Sequence, residues 1–130
     1  MRLGRGSPAE GHDVDGVLPD DQRRGGSFSW PPPRENYVYE ALQGALLSAI
    51  LLDRAGFEVW EWEERALWRA FRWLEQVADY PAEGDDEWQP FVIAHFFPEA
   101  PLRPIVKRVR GVQPGKNFGF TDWLYGEVGE

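Results

Sequence analysis

The sequence predicts an all-α fold, and three observations carry that expectation. From Glu35 to Ala55 apolar residues recur on every side of a helical wheel. From Trp60 to Ala78 they recur on one side with the helical period, and Glu87 to Phe97 is a short apolar segment with a proline in its first turn. The link from Gly56 to Val59 is short, so the first two segments should form an antiparallel α-hairpin with the short third helix beside it. Residues 1–33 carry turn signals and no sustained period, which predicts an irregular arm; the tail beyond the last prolines reads as a second irregular arm with aromatic anchors. The expected division is therefore arm 1–33 and helical domain 34–130.

The first helix is entered through Pro31, Pro32 and Pro33, which hold the chain extended and forbid an earlier start. Gly56 suits the left-handed position just past its end, and Arg54 suits its negative C-terminus. Glu40, Gln43 and Ser48 interrupt the run, so it is no membrane span. Its remaining positions Val38, Leu42, Leu46, Leu47, Ile50, Leu51 and Leu52 surround the axis, and a helix apolar all round is a buried one. The second helix can cover one side only. Each leucine left exposed would forgo roughly 1.5–3 kcal/mol, so the tail, another chain or further helices must cover the rest, or the exposed face will drive self-association.

The second helix should present Trp62, Ala66, Leu67, Ala70, Trp73, Leu74 and Val77 to the core, with Glu61, Arg65, Arg69 and Arg72 elsewhere. Glu61 and Arg65 have the favourable i,i+4 order. Ala41, Ala45, Ala66 and Ala70 should let the two backbones approach, and Asp79-Tyr80-Pro81 ends the helix. Asp86 should cap the third helix in a capping-box pattern with Gln89, and Pro90 falls where a missing N–H costs little. Trp68 lies off the core stripe, so it packs against something further or faces a ligand.

Composition narrows the function. The 130-residue chain is 42% hydrophobic and 15% aromatic, enough for one packed domain, and its net charge of −8 argues against nonspecific nucleic-acid binding. Arg103, Lys107, Arg108, Arg110 and Lys116 form a basic stretch that would meet a polyanion locally, pair with the acidic helices or simply be solvated. The absence of cysteine excludes disulfides and thiolate metal sites, and two histidines cannot build a histidine-rich one. No metal and no cofactor is expected. His12 lies in a loop or in a calcium-like acidic turn whose spacing misses the EF-hand pattern. His95 is expected to be a partly buried, satisfied imidazole. The N-terminus lacks the apolar segment of a signal peptide.

The stretches "GGSFSWPPPRENYVYEALQGALLSAILLDRAG", "WEWEERALWRAFRWL", "YPAEGDDEWQPFVIAHF" and "PGKNFGFTDW" together resemble the C-terminal part of alginate lyase family polysaccharide lyases. The resemblance covers about Arg23 to Trp123. It implies an incomplete (α/α) toroid of antiparallel hairpins, of which this chain would be a fragment, and β-elimination on a uronic-acid polymer such as alginate. It also implies a periplasmic or secreted location. The Asn-His pair that such lyases carry on an earlier helix has no counterpart here, so the chain is expected to be inactive alone.

That reaction needs a neutralised carboxylate, a base and an acid. Tyr37 and Tyr39 are the candidate catalytic phenols, since a helix N-terminus favours developing negative charge and the proline run would hold the turn still. Both also read as aromatics packing a helix entry. Asn36, Tyr39 and Gln43 share a helix face suited to a sugar carboxylate. Arg23, Arg24 and Arg34 flank it, either as uronate partners or as solvated loop arginines. The partner expected is an anionic polysaccharide, with neither nucleic acid nor membrane. A non-catalytic helical module that binds an acidic glycan or another protein is the alternative.

Overall fold

The computed structural model describes residues 12–18, 21, 34, 37–99 and 118–125, the side chains of 122 and 123 excepted. The regular elements among these residues are all helical, and no strand occurs among them. Helix α1 spans Tyr37–Arg54, α2 Trp62–Arg72, α3 Gln89–Phe96 and α4 Thr121–Leu124. A 3-10 turn, Val59–Glu61, leads into α2, a π turn, Trp73–Val77, continues it, and a second 3-10 turn, Gly84–Asp86, precedes α3.

α1 ends as its sequence dictates. Gly56 adopts φ +94°, its N–H donates to Asp53 O at 2.9 Å, and the Phe57 N–H donates to Leu52 O at 3.1 Å. These are the two bonds of a Schellman cap. The hairpin direction follows from contacts at both ends. Near the start of α1, the Tyr39 ring meets Phe71 at 6.3 Å and Tyr80 at 5.4 Å. Near its end, Asp53 accepts from Trp60 Nε1 at 3.0 Å. The start of α1 thus lies against the end of the second segment, which makes the pair antiparallel.

The alanines do not bring the two helices together. Main backbone approaches of α1 are to Val59–Glu61, Gly84–Asp86 and α3, while α2 meets α1 through side chains such as Phe71, whose ring lies 6.3 Å from that of Tyr39. One face of α1 is buried through Val38, Tyr39, Leu42, Gln43, Leu46, Ala49 and Ile50. Gly44, Ser48 and Leu51 face outward, so the helix is less enclosed than its composition predicts.

The second segment holds the main departure from expectation. Glu63, Glu64 and Arg65 take φ of 51°, 55° and 60°, a left-handed turn inside a right-handed path. For L-residues this costs roughly 1–2 kcal/mol each. The turn rotates Trp62 off the core stripe, leaving it 49% exposed, while Leu67, Ala70, Trp73 and Leu74 are buried as the period predicts. Arg69, expected off the core, is buried instead. Its Nε donates to Glu64 O at 3.0 Å and its Nη2 to Glu63 O at 2.7 Å, so one guanidinium binds two carbonyls of the left-handed turn. Trp68 is half-buried against the core with the Arg65 guanidinium 5.7 Å from its ring.

The N-terminal arm supplies the counter-charge. Asp15 Oδ1 accepts from Arg69 Nη1 at 2.8 Å, and Asp13 accepts both terminal nitrogens of Arg72, at 3.1 and 3.4 Å. Trp73 Nε1 donates to Asp13 O at 2.7 Å. Asp13 Oδ1 also accepts from the Asp15 N–H at 2.9 Å, an Asx turn that shapes the arm. Gly16 follows at φ +97°, and a Cβ there would lie 2.2 Å from Arg69 O. Only glycine fits both the angle and the space. Val17 and Leu18 then enter the core. The Asp13 and Asp15 carboxylates therefore hold arginines.

The third helix begins two residues later than expected, at Gln89, with Pro90 in its first turn. Asp86 does not cap it. Its buried Oδ1 accepts from Gln43 Nε2 at 3.1 Å and Gln89 Nε2 at 2.9 Å, and Gln89 Nε2 also reaches Tyr39 O at 3.1 Å. This network ties α1 to the entry of α3. His95 is exposed, unlike the expected half-buried imidazole, and rests on Tyr125 at 4.9 Å. Aromatic anchoring of the tail is seen in Phe118 against Trp88 at 5.6 Å and in the Thr121 Oγ1 donation to Trp88 O at 2.7 Å. The tail also forms the short helix α4, where irregular chain was expected.

Two glycines should respond in opposite directions. Gly16→Ala should lower unfolding free energy by roughly 2–3 kcal/mol through strain and collision. Gly44, with nothing within 4 Å of an added Cβ on an exposed helix face, should gain roughly 0.5–1 kcal/mol as alanine. Urea titration of both variants measures the contrast.

The arm should also be acid-sensitive. The Arg72 hydrogen bond foremost holds the Asp13 carboxyl below its ordinary value. A depressed folded value gives stability that is fully present above the unfolded value and is lost as pH falls through the folded one. Melting temperature should therefore fall below about pH 4, with a smaller fall in Asp13→Asn. An identical acid profile in the variant would count against this contact.

Candidate functional site

The entry of α1 is where the sequence places its candidate chemistry, and the structure divides the two tyrosines. Residues 37 and 39 sit about 200° apart on a helix, so one faces out when the other faces in. Tyr37 is 43% exposed and Tyr39 is 1% exposed. The Tyr39 hydroxyl donates to Tyr80 O, which satisfies it inside the core. Tyr39 thus serves as a strut between α1 and the chain leaving the second segment. In this fold it has no surface to offer a sugar.

The expected carboxylate-binding strip turns inward with it. Gln43 is fully buried, and its amide is spent on Asp86. Tyr39 and Gln43 do share a face, as spacing predicts, but that face is the core. Arg34 is exposed and its Nη2 lies 3.3 Å from Asp79 Oδ2. Asp79 adopts φ +49° where the second segment ends, so the pair closes the same end of the hairpin that carries Tyr37. Asn36, Arg23 and Arg24 lie outside the described residues.

The chemistry this end can support is limited and specific. Tyr37 is a solvent-reaching phenol in the first turn of an 18-residue helix, whose partial positive end stabilises negative charge on a nearby oxygen. Among the described residues, Arg34 is a guanidinium held by one exposed carboxylate, Asp79. An exposed pair of this kind contributes about 0–1 kcal/mol, so an incoming carboxylate can replace Asp79 at little cost. Among the described residues no group of acids and histidines is placed to hold a metal ion, and no helix is long and apolar enough to cross a membrane.

Sequence reasoning missed a second feature at the opposite end of the hairpin. Asp53, Phe57, Glu58, Trp60, Glu61 and Phe96 line an open recess of about 410 Å³. Trp60 stacks on Phe96 at 3.9 Å and 16°. The signal was present in "DRAGFEVWEWE", where aromatic and acidic residues alternate around the Gly56 cap. Its partner Phe96 comes from α3, which local pattern does not reveal.

Tyrosine-to-phenylalanine exchange should separate the two phenols. Tyr39→Phe leaves Tyr80 O without its buried donor and should cost about 1–2 kcal/mol. Tyr37→Phe removes an exposed hydroxyl and should stay within about 0.5 kcal/mol of the parent. Equal losses in chemical denaturation would overturn this division. Compared with protein-family models, with curated proteins and with solved structures, the chain finds no match in any of the three.

Proposed function

We propose that this chain supplies the C-terminal part of a polysaccharide lyase of the alginate lyase type, which acts by β-elimination on a uronic-acid polymer and is inactive by itself. The observation that carries the reading is the outward phenol of Tyr37 at the helix entry, with Arg34 at the same end. The sequence resemblance supports it, as does the hairpin, which is the repeating unit of an (α/α) toroid. The exposed Leu51 on α1, 59% accessible, fits a helix that packs against a further hairpin. It equally suits the alternative of a non-catalytic module that binds a protein partner.

In the proposed reaction Arg34 leaves Asp79 and pairs with the uronate carboxylate, which makes the α-proton acidic. A base removes that proton. Its electron pair forms the new C=C bond as the β C–O bond breaks, and an acid protonates the departing oxygen. Tyr37 serves as one of these two proton-transfer groups. Tyr39 is withdrawn from the catalytic assignment and Gln43 from the binding assignment, because both are buried and hydrogen-bonded.

Alginate oligosaccharides should shift the resonances of Tyr37 and Arg34 in the isolated chain, without a rise in ultraviolet absorbance from unsaturated uronate. In a complete lyase bearing this segment, Tyr37→Phe should lower turnover by about 10²–10⁴. Full turnover in that variant, or steady product from the pure chain, would overturn the assignment.

A further inference from the structure

The recess at the other end of the hairpin is the wrong sign for a polyuronate. Three of its lining side chains, Asp53, Glu58 and Glu61, are carboxylates, and Arg54, the base in the last turn of α1, does not line it. Gly56 forms part of the wall at the C-terminal end of α1, where the helix carries partial negative charge. Phe57, 53% exposed, adds open aromatic surface, and ring faces attract cations, while Trp60 and Phe96 stack on each other as the floor. Carboxylates, helix end and Phe57 all come from residues 53–61, with Phe96 added from α3, and together they favour positive charge.

The site is also built to hold its shape. Trp60 is locked by its indole bond to Asp53 and by its stack on Phe96. Phe97 meets Trp60 edge-on at 5.9 Å from behind. Phe57 remains largely exposed and meets Trp62 at 6.4 Å. Glu58 and Glu61 are exposed, and the only ion pair of Glu61 among the described residues is a loose one with Arg65 at 3.8 Å. A volume of about 410 Å³ lies within the range of small ligand pockets, ample for one long side chain.

We propose that this recess binds an arginine or lysine side chain of a basic protein segment, its cation among Asp53, Glu58 and Glu61 and its stem along Phe57. The inference is independent of the lyase reading, since the two sites lie at opposite ends of the hairpin and take ligands of opposite charge.

The test is a two-dimensional NMR titration of the full chain with a synthetic tetra-arginine peptide, with a tetra-citrulline peptide as the uncharged control. The Trp60 indole and the amides of Gly56, Phe57 and Glu61 should shift with arginine and not with citrulline. Glu58→Gln combined with Glu61→Gln should weaken binding roughly three- to tenfold, with dispersed spectra verifying the fold. Glu58→Gln alone, which leaves the Arg65 pair intact, should weaken it to a smaller extent. Equal response to citrulline, shifts confined to other acidic surfaces, or affinity unchanged in both variants would each overturn the proposal.

Discussion

The guanidinium of Arg69 is the point on which the described structure turns. All three of its nitrogens are engaged: two on carbonyls of the left-handed turn and one on Asp15. A buried cation without partners would cost several kcal/mol, and three left-handed residues would unwind without a donor to hold their carbonyls. Each requirement satisfies the other. Charge-assisted bonds of about 1.5–3 kcal/mol apiece are of the right size to offset a strain of roughly 1–2 kcal/mol per residue.

From that contact the remaining architecture follows. The turn swings Trp62 outward, and the chain beyond it resumes a right-handed path that buries Leu67, Ala70 and Leu74. Asp15 commits the N-terminal arm, Gly16 lets the arm lie directly on the Arg69 carbonyl, and Val17 and Leu18 enter the core. Arg72 and Trp73 repeat the arrangement one step along through Asp13. Residues 12–18 thus become part of the fold through two aspartates.

The two ends of the hairpin carry different chemistry for a geometric reason. An antiparallel pair puts the entry of α1 beside the exit of the second segment, which gathers Arg34, Tyr37 and Asp79. The link end gathers the Schellman cap, Trp60 and the acids around it. The buried network of Gln43, Asp86 and Gln89 lies on the core side, joining α1 to α3. Asp86 Oδ1 accepts from both amide nitrogens inside the core, which is why Gln43, which reads as a binding group in the sequence, is structural in the fold.

What the sequence by itself determined is local. The extent of α1, its glycine cap, the stop at Asp79, the position of Pro90 and the antiparallel link are all set by residues within a few positions of one another. Periodicity and capping report such interactions faithfully. The tertiary structure alone decided which of Tyr37 and Tyr39 faces out, the burial of Arg69, and the handedness of Glu63 to Arg65. Each depends on a partner far along the chain: Tyr39 and Tyr80 are 41 positions apart, Arg69 and Asp15 54. A helix apolar on all sides gives no cue to which side the core will take. That choice belongs to the packing of α3 and the Gly84–Asp86 turn against it.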